Sequence, residues 1–105
     1  MGVVVRRLSE AGALVSSSES RQYRSGYVVL EPGKEVGEHE TGDGEELIVF
    51  TEGSAELSYG GKRRAVRAPA VALVPAHTSH NVSNRSKAPL HYVYIYNAGM
   101  DRAVF

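Results

Sequence analysis

The sequence has 105 residues, the size of one domain, with 12 Lys and Arg against 12 Asp and Glu and therefore no formal net charge. That balance gives no global field toward nucleic acid or an anionic membrane, and the absence of cysteine excludes a disulfide scaffold, a thiolate metal site and a cysteine nucleophile. No apolar run approaches the about 20 residues of a membrane span, and MGVVVRRLSE carries its charges after a short apolar run, unlike a signal peptide. The expectation is a soluble, cytoplasmic chain of one domain over residues 1–105, with neither nucleic acid nor membrane as partner.

Glycine and proline punctuate short β-like runs, and no stretch carries a capped apolar period of 3.6 residues. In chain order, residues 3–8 (VVVRRL) read as a first strand, which 13–15 continue beyond Gly12. Residues 16–20 form a serine-rich loop. A strand over 22–30, interrupted at Gly26, stops at Pro32-Gly33. Residues 36–40 are short and polar, and Gly42-Asp43-Gly44 turns the chain into 46–51, ELIVFT. Ala55, Leu57 and Tyr59 then alternate with polar residues, the pattern of a half-buried strand.

Gly60-Gly61 is the clearest hairpin loop, and 62–67 return as its partner strand, where Lys62, Arg63, Arg64 and Arg67 read as solvated charge. A corner at 68–70 leads to strands 71–74, 79–84 and 90–96, the last being LHYVYIY. Residues 97–105 carry no pattern and are expected to dock or fray. Eight to ten short strands with turns between them, and no repeat unit, predict an all-β sandwich or barrel.

Residues two apart on a strand share a face. His39 with Thr41, Glu46 with Ile48 and Phe50, and His80 with Val82 and Asn84 therefore form three such sets, each near a strand end. If the sheet curls, two imidazoles and a carboxylate converge. Such a set suits one divalent transition metal ion (Zn, Ni, Mn, Fe or Cu) better than Ca or Mg, which take more oxygens. Glu45 and Glu40 should face outward.

Two spaced motifs carry a family resemblance. The first is Gly33, five residues, His39-Glu40-Thr41, four residues, Glu46, six residues and Gly53. The second is Pro69, five residues, Pro75-Ala76-His77, two residues, His80, three residues and Asn84. With motif one at 33–53 and motif two at 69–84, the chain resembles the cupin family. The resemblance implies a double-stranded β-helix, or jelly-roll barrel, with a metal in its mouth. It places His39, Glu46 and His80 on three of the family's four ligand positions. The fourth, the second histidine of His-x-His, is Thr41 here, and threonine is a poor transition-metal ligand. The remaining set is similar in ligand identity to the two-His, one-carboxylate triad of non-haem iron oxygenases.

His77 stands where the second motif has glycine. It is either a replacement fourth ligand or a solvent-facing rim residue, since a spacing of three on a strand sends it to the face opposite His80. Asn84 matches the end of that motif and should stabilise the strand end.

Tyr92, Tyr94 and Tyr96 share one face of the last strand, opposite His91, Val93 and Ile95. They either line the cavity or cover a second sheet or a partner subunit, and packing is the simpler role. As cavity residues, Tyr92 and Tyr94 join Thr41 and Phe50 as candidate contacts to a small-molecule ligand or substrate. His91 should be satisfied locally.

No nucleophile elbow, phosphate loop, dinucleotide fingerprint or His-Glu-x-x-His helix is present. Two functional readings follow from the resemblance. One is a metal-dependent enzyme with dioxygenase-like or sugar isomerase- or epimerase-like chemistry; the other is a non-catalytic binding or sensing cupin with a degenerate metal site. A homodimer is expected in either case, with 3–8 as a strand offered for exchange.

Overall fold

A computed structural model describes residues 2–98, which form nine β-strands and no helix. In order these are β1 (Gly12–Val15), β2 (Tyr23–Leu30), β3 (His39–Glu40), β4 (Glu45–Glu52), β5 (Ser54–Tyr59), β6 (Lys62–Arg67), β7 (Ala70–Val74), β8 (Ser79–Ser83) and β9 (Leu90–Asn97). They make two antiparallel sheets, one ordered β1-β2-β9-β4-β7 and the other β3-β8-β5-β6. This is the jelly-roll arrangement expected from the motifs. Among the described residues no helix is long and apolar enough to cross a membrane.

Alternation decides which side chains meet between the sheets. On β4, Ile48 and Phe50 point inward and are 1% and 0% exposed. On β5, Ala55 and Leu57 are buried; Val82 on β8 and Leu90 and Tyr92 on β9 complete most of the core with Val74. The Phe50 and Tyr92 rings pack tilted at 5.6 Å between centroids. Burying a side chain the size of Phe50 contributes about 1.5–3 kcal/mol. Gly60 and Gly61 both take positive φ, 54° and 74°, which closes the β5–β6 hairpin as the double glycine predicts.

Two expectations are corrected. Residues 3–8 are not a strand: Val3, Val4 and Val5 stay 94%, 44% and 85% exposed. A β-prone run forms a strand only beside a partner, and β1, at the sheet edge, pairs with β2 alone. Arg6 instead donates to the Leu14 carbonyl and pairs with Glu19 at 2.6 Å. The expected interruption at Gly26 is also absent, since β2 pairs continuously with β9, Gly26 lying opposite Tyr94. At the other end, β9 runs through Asn97 and Ala98 donates to the Gln22 carbonyl; the expectation for 99–105 lies outside the described residues.

Candidate metal centre

The ligand candidates are brought together by register. His39 on β3 pairs directly with His80 on β8, and Glu46 enters from β4 in the facing sheet. One ligand atom from each of the three lies within 4.8 Å of the others. The two imidazole rings sit 4.2 Å apart, and His80 Nε2 is 2.9 Å from Glu46 Oε1. His80 is 1% exposed, Glu46 half-buried and His39 exposed, so the cluster spans the cavity from wall to mouth.

Each ring is oriented from behind. His39 Nδ1 lies 2.9 Å from the Gly37 carbonyl, and His80 Nδ1 lies 3.0 Å from the Thr78 carbonyl. A carbonyl only accepts, so both Nδ1 atoms carry hydrogen and each Nε2 is the nitrogen left for an ion; that of His80 already meets Glu46. This is the arrangement that fixes the tautomer of a metal-binding histidine. The donor set therefore fits a divalent transition ion. Without one, His80 has acceptors at both nitrogens. Its pKa is raised, mainly by the hydrogen bond to Glu46, then by the Thr78 carbonyl and the Glu46 charge, against burial.

Thr41 lies at the missing ligand position, but its hydroxyl has other partners. It is 5% exposed, donates to the Pro75 carbonyl at 2.7 Å and accepts from the Thr78 amide at 3.0 Å. The Thr41 amide returns to the Thr78 carbonyl at 3.3 Å. Thr41 thus pins the residue that orients His80, and its O–H is not free to orient a substrate.

His77 does not join the cluster. Its backbone takes φ 55°, and its ring stands at the rim, 3.7 Å from Glu40 and 3.2 Å from Asp43. It is not in the group that His39, Glu46 and His80 form.

The tyrosine stripe faces inward. A cavity of about 620 Å³ is lined by Tyr92, Tyr94, Tyr96, Ile48, Arg24 and the three candidate ligands, among others. Packing is the simpler expectation for the stripe, and Tyr92 in the core and Tyr94 against it meet that expectation; with β9 between β2 and β4, all three rings also line the cavity. Phe50 lies beneath, in the core, and not on the cavity wall.

The Tyr96 hydroxyl donates to the Thr41 carbonyl at 2.6 Å. The hydroxyls of Tyr92 and Tyr94 make no hydrogen bond to another described residue. Burial raises the Tyr92 phenol strongly, helped by the charge of Glu46, so it stays protonated. The Tyr94 ring approaches β2 closely because Gly26 has no Cβ; one built there would stand 2.7 Å from the ring's Cζ.

Asn84 holds the strand end as its motif position suggests. Wholly buried, it donates to the Leu30 and Ala88 carbonyls and accepts from Ser86. His91 is on the outer face, between Tyr27 at 2.7 Å and Glu52 at 3.2 Å. Arg24 carries no local motif, and only the β2–β9 register could have pointed to it.

The fold and the cluster define a small β-barrel with a two-histidine, one-carboxylate centre. The cupin domain model matches residues 26–96, and the chain belongs to the cupin family. No curated protein matches the sequence. Among solved structures, a cupin 2 conserved barrel domain protein from Salinispora arenicola superposes with TM-score 0.77 at 23% identity, covering 98% of this chain and 92% of that one. A predicted oxalate decarboxylase from Thermotoga maritima gives 0.78 at 21%, over 83% and 77%. The Schizosaccharomyces pombe Cnp3 cupin domain gives 0.77 at 16%, over 85% and 60%. At these identities the likeness is one of fold.

Proposed function

We propose that this cupin holds one divalent transition metal ion through His39, Glu46 and His80 and acts as a metal-dependent enzyme on a small molecule in the cavity. The carrying observation is a pair of imidazoles with their Nδ1 atoms tied to backbone carbonyls, in a group whose three ligand atoms lie within 4.8 Å of one another and in which His80 Nε2 meets Glu46. Such an ion supplies Lewis acidity and, with three protein ligands, open coordination positions. Zn, Ni, Mn, Fe and Cu all suit the donor set.

The chain's own groups supply the remainder. Tyr92, kept protonated, offers an O–H to a substrate oxygen. Ile48 and Val82 make an apolar wall that limits water around the reacting groups. Dioxygenase-like and sugar isomerase- or epimerase-like reactions both fit this arrangement. Thr41 in place of a fourth ligand favours a second reading, a binding or sensing cupin without turnover.

The test is the metal content of untagged protein, followed by titration of Glu46→Gln, His39→Ala and His80→Ala with first-row ions. Near-stoichiometric metal is expected in the wild type, and each variant should lose at least about tenfold in affinity. A wild type that cannot be loaded with any of these ions removes the enzyme mechanism. Turnover absent from a fully loaded protein leaves the second reading.

A further inference from the structure

Two charged residues on the cavity wall stand outside the metal cluster, Arg24 and Glu40, and Arg24 is the cation. Arg24 lies at the mouth, with its guanidinium 4.9 Å above the Tyr96 ring. The register explains its place. Tyr96 on β9 pairs with Arg24 on β2 and with Glu46 on β4, so Arg24, Tyr96 and Glu46 form one row across the inner face. Two strand spacings separate the outer members, about 10 Å between backbones.

The ring below Arg24 is itself fixed, because the Tyr96 hydroxyl is bound to the Thr41 carbonyl. The aromatic face holds the guanidinium carbon, and the N–H donors remain for an incoming acceptor. Among the described residues no carboxylate pairs with Arg24, although Arg6 and Arg85 both have acidic partners.

Deepening the metal-dependent reading and resting on it, we infer that Arg24 is a specificity-determining residue that selects small organic acids. The carboxylate meets Arg24 at the mouth, the body lies over Tyr92 and Tyr94, and the far end faces His39, Glu46 and His80. Charge supports this assignment. A divalent ion on one carboxylate and two neutral imidazoles leaves uncompensated positive charge, to which Arg24 adds. Glu40, the other acid on the cavity wall, is exposed and lies 3.7 Å from His77. A carboxylate matches the planar fork two bonds at a time. A phosphate dianion is served less well, because among the described residues Arg24 is the only Lys or Arg on the wall. The cavity of about 620 Å³ takes a single-ring acid.

The probes are 4-hydroxybenzoate, its neutral isostere 4-hydroxybenzamide, and inorganic phosphate. Binding is measured by calorimetry on purified protein before and after dialysis against a chelator. The wild type is expected to prefer the acid over the amide by about tenfold. Arg24→Met, which keeps the stem over Tyr96, should lose that preference with amide binding unchanged, and Arg24→Lys should keep part of it. Equal affinity for acid and amide, a preference that survives Arg24→Met, or no binding of the acid at millimolar concentration overturns the inference. So does phosphate binding in place of the acid. If the preference is the same with and without chelation in a protein that takes up no metal, Arg24 keeps its role and the metal reading alone falls.

Discussion

His80 Nε2 and Glu46 Oε1 meet at 2.9 Å across the two sheets, while His80 Nδ1 donates to the Thr78 carbonyl. An imidazole with an acceptor at each nitrogen favours its protonated form, and the His80 pKa is accordingly raised above its ordinary value of 6.5.

This has a pH consequence for the metal-free protein. A raised folded pKa gives a stabilising contribution that is fully present below the unfolded value, about 6.5, and is lost as pH rises through the folded value. Chelated protein should therefore show a urea midpoint that falls as pH rises above about 6.5, and His80→Asn should flatten that slope. Metal loading should reverse the trend, because the ion displaces the His80 proton and its affinity rises with pH. A midpoint independent of pH over this range would contradict the pairing.

Thr41→Val removes the hydroxyl between Pro75 and Thr78 while keeping the shape. The Pro75 carbonyl and Thr78 amide lose their partner, at a cost of about 1–3 kcal/mol. The carbonyl of Thr78 also orients His80, so metal affinity should fall as well, by about tenfold. Thr41→Ser should restore both quantities. Calorimetric metal titration of the three proteins separates this positioning role from a purely structural one, which would move stability alone.

Gly26→Ala places a methyl group where the Tyr94 ring now lies. The ring must swing off β2 into the cavity, with a stability cost of about 1–3 kcal/mol. Ligand affinity should drop while metal uptake is preserved, since Tyr94 is not among the three ligand candidates. A variant with unchanged ligand binding would show that Tyr94 does not shape the cavity.

The outer face of the five-stranded sheet presents Leu47, Val71 and Leu73, exposed by 40%, 65% and 60%. The edge strand beside it, β7, reads AVALV without a charge, whereas the other sheet's edge, β6, carries Lys62, Arg63, Arg64 and Arg67. Charged edges resist pairing and uncharged ones invite it. We propose that a second copy covers the β7 side, with Val3, Val4 and Val5 available to contribute. Light scattering should report a dimer, and Leu73→Lys should shift it toward monomer.

Much of the site was legible because alternation is a strict rule. Once 46–51 reads as a strand, Glu46, Ile48 and Phe50 must share a face and Glu45 must leave it, as the burial of β4 shows. The motif spacing then named the three residues that the fold gathers. What stayed hidden depends on partners distant in sequence. Period two revealed a tyrosine stripe but not that it faces the cavity, which follows from the place of β9 between β2 and β4. Arg24 acquires meaning only opposite Tyr96. Propensity alone made 3–8 a strand, and the missing neighbour unmade it. Thr41 looked like an empty ligand position because hydrogen bonds to the Pro75–Thr78 turn leave no local trace.

The inward tyrosine ladder also makes the cavity optically visible. The chain has no tryptophan, so its near-ultraviolet emission comes from six tyrosines, of which Tyr92, Tyr94 and Tyr96 line the cavity. Occupancy by a paramagnetic ion or an aromatic acid would quench half of the emitters directly. The native protein thus carries its own fluorescent reporter of what enters the barrel, with no label and no substitution required.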